Sequence, residues 1–212
     1  LWDKATMSLE RKIDKKRLVM IGLLQELLSG KTRLKGFSKP WKQTRLDKIF
    51  CFIPSYAFSR ELLTTENSPN SGIYNIHYGD IHATYAGTIL DFTKERNVPI
   101  ILSSGGIPAI IETLQDGDVV MTDASEDYEG VGACVELANV SGRTVTGGLH
   151  TFVLRDASGL TAAGFRGYLF KERTLANRLR KIASGVSVYS LSKTCLAEIA
   201  IALPPLDEQR AI

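Results

Sequence analysis

Apolar residues near the start of the chain recur at alternating intervals of four and three: Leu9, Ile13, Met20, Leu23 and Leu27, with Lys16 the one polar residue on the seam. That spacing predicts an amphipathic helix over Ser8–Ser29 with a coiled-coil type of stripe. Val19, Leu24 and Leu28 widen the stripe at one end, while Glu10, Arg11, Lys12, Asp14, Lys15 and Arg17 charge the other faces. Ser8 suits an N-cap, and Gly30 followed by Lys31 suits a stop. Burying each large side chain of the stripe would contribute about 1.5–3 kcal/mol. A lone helix cannot cover its own stripe, so a partner helix is expected. The competing expectation is a helix laid on its own globular domain.

Beyond the helix the pattern changes. A basic connector with Gly36, Pro40 and Trp41 spans 31–48, and a mixed stretch with a turn cluster at Glu66–Gly72 follows. Short β-like runs come next at Ile73–Ile76, Pro99–Leu102, Val119–Thr122, Val131–Leu137 and Thr151–Arg155, separated by Gly, Asp, Asn and Ser turns. Helical spacing returns over 161–183 through Phe165, Tyr168, Leu169, Leu175, Leu179 and Ile182 and stops ahead of Gly185. An apolar strand, Ile199–Leu203, then runs into Pro204-Pro205, after which Asp207-Glu208-Gln209 opens a new helix with its acids at the positive end of the dipole. Many short strands followed by helices predict an α+β fold. The last nine residues begin a helix that the sequence does not complete, and the first residue is Leu, so a fragment of a longer protein is expected.

Composition narrows the class little: 44% hydrophobic and 23% charged over 212 residues is ordinary for a globular protein. No apolar run reaches the roughly 20 residues of a bilayer span, and no signal segment opens the chain, so a cytoplasmic location is expected. Cys51, Cys134 and Cys195 are far apart and read as buried, reduced thiols. Charge is more telling. Residues 1–48 hold 13 Lys/Arg against 5 Asp/Glu, a net +8, and the remainder holds 13 against 18, a net −5. A polyanionic partner near the N-terminal part fits this asymmetry.

Catalytic signatures are missing. The sequence has no GxxxxGK[ST] loop, no GxGxxG, no GxSxG and no paired HxH or HExxH histidines. Ser104-Gly105-Gly106-Ile107-Pro108 is too short for a phosphate loop and lacks its lysine. His77, His82 and His150 stand apart and read as structural. Gly79-Asp80 and Gly117-Asp118 read as plain turns. The loop 123–130 packs Asp123, Glu126, Asp127 and Glu129 together, with no Lys or Arg between Arg96 and Arg143 to neutralise them. Solvated or turn-capping roles, contact with a cytosine amino group in a DNA major groove, and a metal site all fit it. A metal-dependent nuclease would use Asp116, Asp118, Asp123 and Glu126, although no Asp-x-n-Glu-x-Lys pattern follows.

Several segments, in order, resemble the specificity subunit of Type I restriction-modification systems. Leu27-Leu28-Ser29-Gly30-Lys31-Thr32-Arg33-Leu34 is similar to the close of that family's spacer helix. Gly117-Asp118-Val119-Val120 with Ala124-Ser125-Glu126-Asp127, then Gly148-Leu149-His150-Thr151, resemble one branch of its recognition domains. Tyr74–Ile81 lies between the first and second matches, and Leu203-Pro204-Pro205-Leu206-Asp207-Glu208-Gln209 matches the passage into the next spacer.

The resemblance implies a spacer helix over 1–36, a target recognition domain over 37–203 and the start of the next spacer over 204–212. It implies a subunit that is not an enzyme and binds no cofactor. Such a subunit reads half of a split double-stranded DNA site and directs methyltransferase subunits, and a restriction subunit where one exists, to it. A second recognition domain or copy would pair through Leu9, Ile13, Met20, Leu23 and Leu27. Placement in turns and residue type nominate Tyr56, Ser59, Arg60, His82, Thr84, Tyr85, Ser125, Tyr128, Ser187 and Tyr189 for contact with bases. Lys31, Arg33, Lys35, Lys39, Lys42 and Arg45 are nominated for phosphates. Besides the nuclease, a helical assembly adaptor without DNA affinity is the rival expectation.

Overall fold

Two hydrophobic cores share one sheet between them. The structure, a computed structural model, describes residues 2–66, 72–85, 87–102 and 106–212. Helix α1 (Trp2–Leu28) is followed by β1 (Lys42–Arg45), β2 (Phe50–Ile53), β3 (Leu63–Thr64) and β4 (Ile73–Ile76). Next come α2 (Tyr78–Ala83), β5 (Ile89–Asp91), β6 (Ile100–Ile101), β7 (Val119–Thr122) and β8 (Ala124–Ser125). Then β9 (Cys134–Ala138), β10 (Thr144–Gly147) and β11 (Thr151–Asp156) lead into α3 (Arg166–Leu169) and α4 (Arg173–Ile182). The chain finishes with β12 (Tyr189–Ser190), α5 (Lys193–Ala197), β13 (Ala200–Leu203) and α6 (Leu206–Gln209).

The central sheet has the order β2-β11-β7-β9-β5, antiparallel except for the parallel β5–β9 pair. Alternate side chains on each strand go to opposite cores, as strand geometry requires. Val119, Met121, Phe152 and Leu154 join one core with the foot of α1, helices α3 to α5 and β13. Val120, Val135, Leu137 and Val153 join the other, beneath α2 and the smaller sheet β10-β4-β6-β3. Because both faces are covered, β7 reads as an uninterrupted apolar run rather than an alternating one.

The α+β class holds, and β4 and β7 have the bounds that their sequence predicts. Elsewhere the sequence reading needs correction. Helix α1 begins at Trp2, so Ser8 lies in its interior and caps nothing. The helical run over 161–183 is two helices, broken where Glu172 leaves the helix and its carboxylate accepts from Thr174 N and Leu175 N, 2.8 Å each. Gly79-Asp80 belongs to α2 and is not a plain turn. Most of the turn expected at Glu66–Gly72 lies outside the described residues, as does the Ser104-Gly105 step. Only Cys134 is a buried thiol, pushed up to about 12 by that burial, while Cys51 and Cys195 are exposed.

Among the described side chains of α1, those at its foot pack on the domain. Leu28 is buried and Leu24 packs on the same core. The Gln25 side chain donates to Lys171 O at 2.9 Å and accepts from Arg173 N at 2.8 Å. Above that turn Leu9, Ile13, Met20 and Leu23 are 49–70% exposed, so the helix is not laid along its own domain.

Candidate nucleic-acid interface

Several of the side chains expected to read bases, His82, Tyr128 and Tyr189 among them, come from three neighbouring segments far apart in sequence. The first is α2. His77 caps it through Nδ1, which accepts from Gly79 N at 3.2 Å. This bond needs an unprotonated Nδ1, and burial pushes the imidazole below its usual range despite the nearby Asp80. The capped helix carries Tyr78 and His82, with Thr84 exposed at its end. Its Asp80 turns inward and accepts both 3.0 and 2.7 Å bonds from Arg60 Nη1. The Arg60 side chain remains 57% exposed, so one nitrogen of its fork serves the fold while most of the group still meets solvent.

The second segment is the acidic loop after β7. Two of its four carboxylates find partners remote in sequence, one of them a guanidinium and the other an imidazole. Asp123 Oδ1 lies 3.2 Å from His150 Nδ1, and Glu129 pairs with Arg180 of α4 at 2.9 Å. Asp127 caps the turn by accepting from Gly130 N, and Ser125 Oγ accepts from Asp127 N at 3.3 Å. A Cβ on Gly130 would lie 2.6 Å from Ser125 Oγ and 2.8 Å from His82 Cε1, so glycine lets the loop close against α2. Tyr128 stays exposed at the tip.

The third segment is the β12 strand, which pairs with β8 in the register Tyr189↔Ser125. That pairing sets the Tyr128 and Tyr189 rings edge to face at 5.3 Å. The strand after Gly148 adds His150, whose ring meets Tyr78 edge-on at 5.4 Å, and Tyr78 meets His82 at 6.4 Å. Aromatic and imidazole rings thus lie side by side, and Arg60 is held to the same helix through Asp80. The clefts of about 200 and 340 Å³ are lined by other residues, from the foot of α1 and α4 in one case and Tyr74 and Arg143 in the other.

Not every expected residue belongs to this face. Tyr85 and Ser125 are buried, at 8% and 4% exposure, because one fills the core under α2 and the other closes the loop; neither presents its side chain outward. Tyr56 is spent on the fold: its hydroxyl accepts from Glu112 N at 2.9 Å. Ser59, Ser187 and Thr84 are exposed. Of the phosphate candidates, Arg33 is committed to the buried Glu208 and stacks over Trp41, which withdraws it from that role. Arg45 pairs with Asp47 at 2.7 Å. Lys31, Lys35, Lys39 and Lys42 remain exposed, with Lys39 3.9 Å from Asp207.

Sequence reasoning missed Tyr78 and His150 as members of the face, and the basic end of α4, Arg180 and Lys181, beside it. The Gly148–Thr151 match was the one signal that pointed to His150. The four carboxylates of the nuclease expectation do not converge. Asp116 accepts from Val140 N, Asp118 is paired with Arg155, and Asp123 with His150. Among the described residues no group of three His, Cys, Asp or Glu side chains is placed to hold a metal ion.

The architecture is that of the S subunits of type I restriction-modification systems. The HsdS subunit from Thermoanaerobacter tengcongensis superposes with a TM-score of 0.57 at 20% identity, over 98% of this chain and 46% of that one. A chain from a structure describing complex assembly and conformational transition of a type I R-M system gives 0.55 at 19% identity, over 98% of this chain and 47% of that one. The type I S subunit from M. genitalium gives 0.51 at 13% identity, over 84% and 38%. The chain therefore spans about half the length of the solved chains it matches. No known family profile and no curated protein matches the sequence.

Proposed function

We propose that this chain is a sequence-reading module for double-stranded DNA, one target recognition domain of a Type I specificity subunit. In this reading residues 1–36 are a spacer helix, 37–203 the recognition domain, and 204–212 the start of the next spacer. The module catalyses nothing. It reads one half of a split site and brings methyltransferase subunits, and a restriction subunit where one exists, to that site in the cytoplasm. The exposed stripe of α1 pairs with a second spacer helix.

The observation that carries the proposal is the correspondence with S subunits over 98% of the chain, helix and domain together. The face agrees with it chemically: Arg60 offers donors for guanine edges, while Tyr128, Tyr189 and His82 offer polar tips on flat rings. The Arg180–Glu129 pair offsets one of the loop's four carboxylates and so lessens the repulsion from phosphates that the bare sequence suggests.

The test is selection from randomised duplex DNA by the chain together with a methyltransferase subunit, read by sequencing. Enrichment of one short word is expected. Retention without enrichment would overturn sequence reading, and no retention at all would favour the assembly adaptor.

A further inference from the structure

The segment between α4 and α5 is a tight hairpin. Ser184 and Ser190 exchange backbone bonds of 3.0 and 2.8 Å across its base. Gly185 sits at φ +135°, where a Cβ would fall 1.8 Å from Val188 O, so the turn is closed as tightly as the backbone allows. The base is pinned a second time: β12 pairs with β8, Leu191 N donates to Asp123 O at 2.7 Å, and Leu191 is buried. At the tip stands Val186, 93% exposed and the most exposed of the large apolar residues described, with Val188 at 50%. A β-branched side chain held in water on a rigid support is a feature without a role in folding.

We infer that Val186 is a specificity-determining contact that packs on the C5-methyl group of a thymine in the major groove. The inference rests on the DNA-reading proposal above. Three observations support it. The hairpin is continuous with the proposed face through the Tyr128–Tyr189 contact and the β12–β8 pairing. It is a narrow turn closed by a single Ser184–Ser190 bridge and backed by β8, a projection better suited to the major groove, about 12 Å wide, than to the minor groove, about 6 Å wide. Finally, the thymine methyl is the one apolar group on the major-groove edges of the base pairs, so an apolar tip among polar neighbours selects for it.

The experiment takes the word enriched by the chain with a methyltransferase subunit and replaces each thymine in turn by deoxyuridine, which removes only the methyl. Wild type is expected to bind about four-fold more weakly at one position, the scale of one methyl-sized group buried. Val186→Ala is expected to bind the thymine and deoxyuridine duplexes equally there. An exposed tip residue does not carry the fold, and an unchanged thermal midpoint for V186A confirms that the comparison is fair. A word insensitive to deoxyuridine, a word without thymine, or a V186A variant that still discriminates would overturn this contact and leave sequence reading intact. Failure to enrich any word would instead overturn the reading on which it rests.

Discussion

Arg33 and Glu208, 175 residues apart, form a two-point ion pair in which the guanidinium grips both carboxylate oxygens of a side chain only 1% exposed. Trp41 Nε1 donates a third bond to the same carboxylate at 3.1 Å, and the Arg33 guanidinium stacks over the Trp41 ring. This clasp ties the connector after α1 to the start of α6. Arg33→Ala would leave a buried carboxylate with an indole as its remaining partner. The expected loss is about 3–5 kcal/mol, read as a lower urea midpoint with an unchanged m-value. Glu208→Gln should lose less, since the partly exposed arginine can rehydrate. An R33A protein as stable as wild type would show that the clasp is ornamental.

A second structural carboxylate gives stability a pH dependence. The Asp156 side chain is buried and accepts from Ser158 N, Gly159 N and Thr161 N at 2.8–2.9 Å, as well as from both hydroxyls, with Arg166 at 3.6 Å. Burial opposes its charge, but the hydrogen bonds from Thr161 and Ser158 outweigh it and hold the carboxyl below its ordinary 3.8. Just below that value the unfolded chain binds a proton that the native one refuses. The stabilisation is therefore present above pH 3.8 and lost as pH falls below it. Asp156→Asn should cost about 2 kcal/mol at neutral pH, and the gap to wild type should close in acid. A gap constant with pH would contradict this account.

Substitutions on the proposed DNA-facing surface should separate into two kinds. Arg60→Ala removes the partner of the inward Asp80, whose side chain is 7% exposed, so it should lower stability by about 1–3 kcal/mol as well as change binding. Tyr128 is 43% exposed and touches Tyr189 only by a ring edge. Tyr128→Ala should leave stability within about 0.5 kcal/mol and relax the preference at one position of the enriched word by roughly ten-fold. Calorimetry and the sequencing readout together test both.

The stripe on α1 gives a third contrast. Replacing Leu9, Ile13 and Met20 with lysine touches no part of either core, so the unfolding midpoint of the domain should hold. Self-association or docking of a second spacer helix, followed by sedimentation, should fall away. Unfolding of the domain by the same changes would mean that α1 is covered by its own chain after all.

Legibility in the sequence followed the range of the interactions. Strands β4 and β7 and the ending of β13 at Pro204-Pro205 were visible because local pattern and punctuation suffice. Strand β1, Lys42-Gln43-Thr44-Arg45, has no apolar residue and was invisible; it is a strand because Ala200–Leu203 pairs with it. Helix α2 was hidden for a similar reason: its six residues are set by the His77 cap and by Asp80 meeting Arg60. In the candidate face the residue types were legible, but the expectation of turn placement holds for Tyr128 alone of three: His82 lies in α2 and Tyr189 in β12. Their neighbours were not legible. Arg180 reaching Glu129, and His150 reaching Asp123, are contacts across 51 and 27 residues that no local spacing encodes. Arg33 is the reverse case, a residue whose basic surroundings suggested phosphate while tertiary structure gave it Glu208.

The pairing of β1 with β13 also sets a timetable for synthesis. Arg45 meets Ala200, so an emerging chain must carry an open strand edge until the last strand has left the ribosome. At ordinary elongation rates that wait is about 10–30 s, long enough for an apolar edge to capture another nascent chain. The edge held open is Lys42-Gln43-Thr44-Arg45, with a cation at each end, which repels its own copies. The residues least recognisable as a strand are thus the ones suited to being an unfinished one.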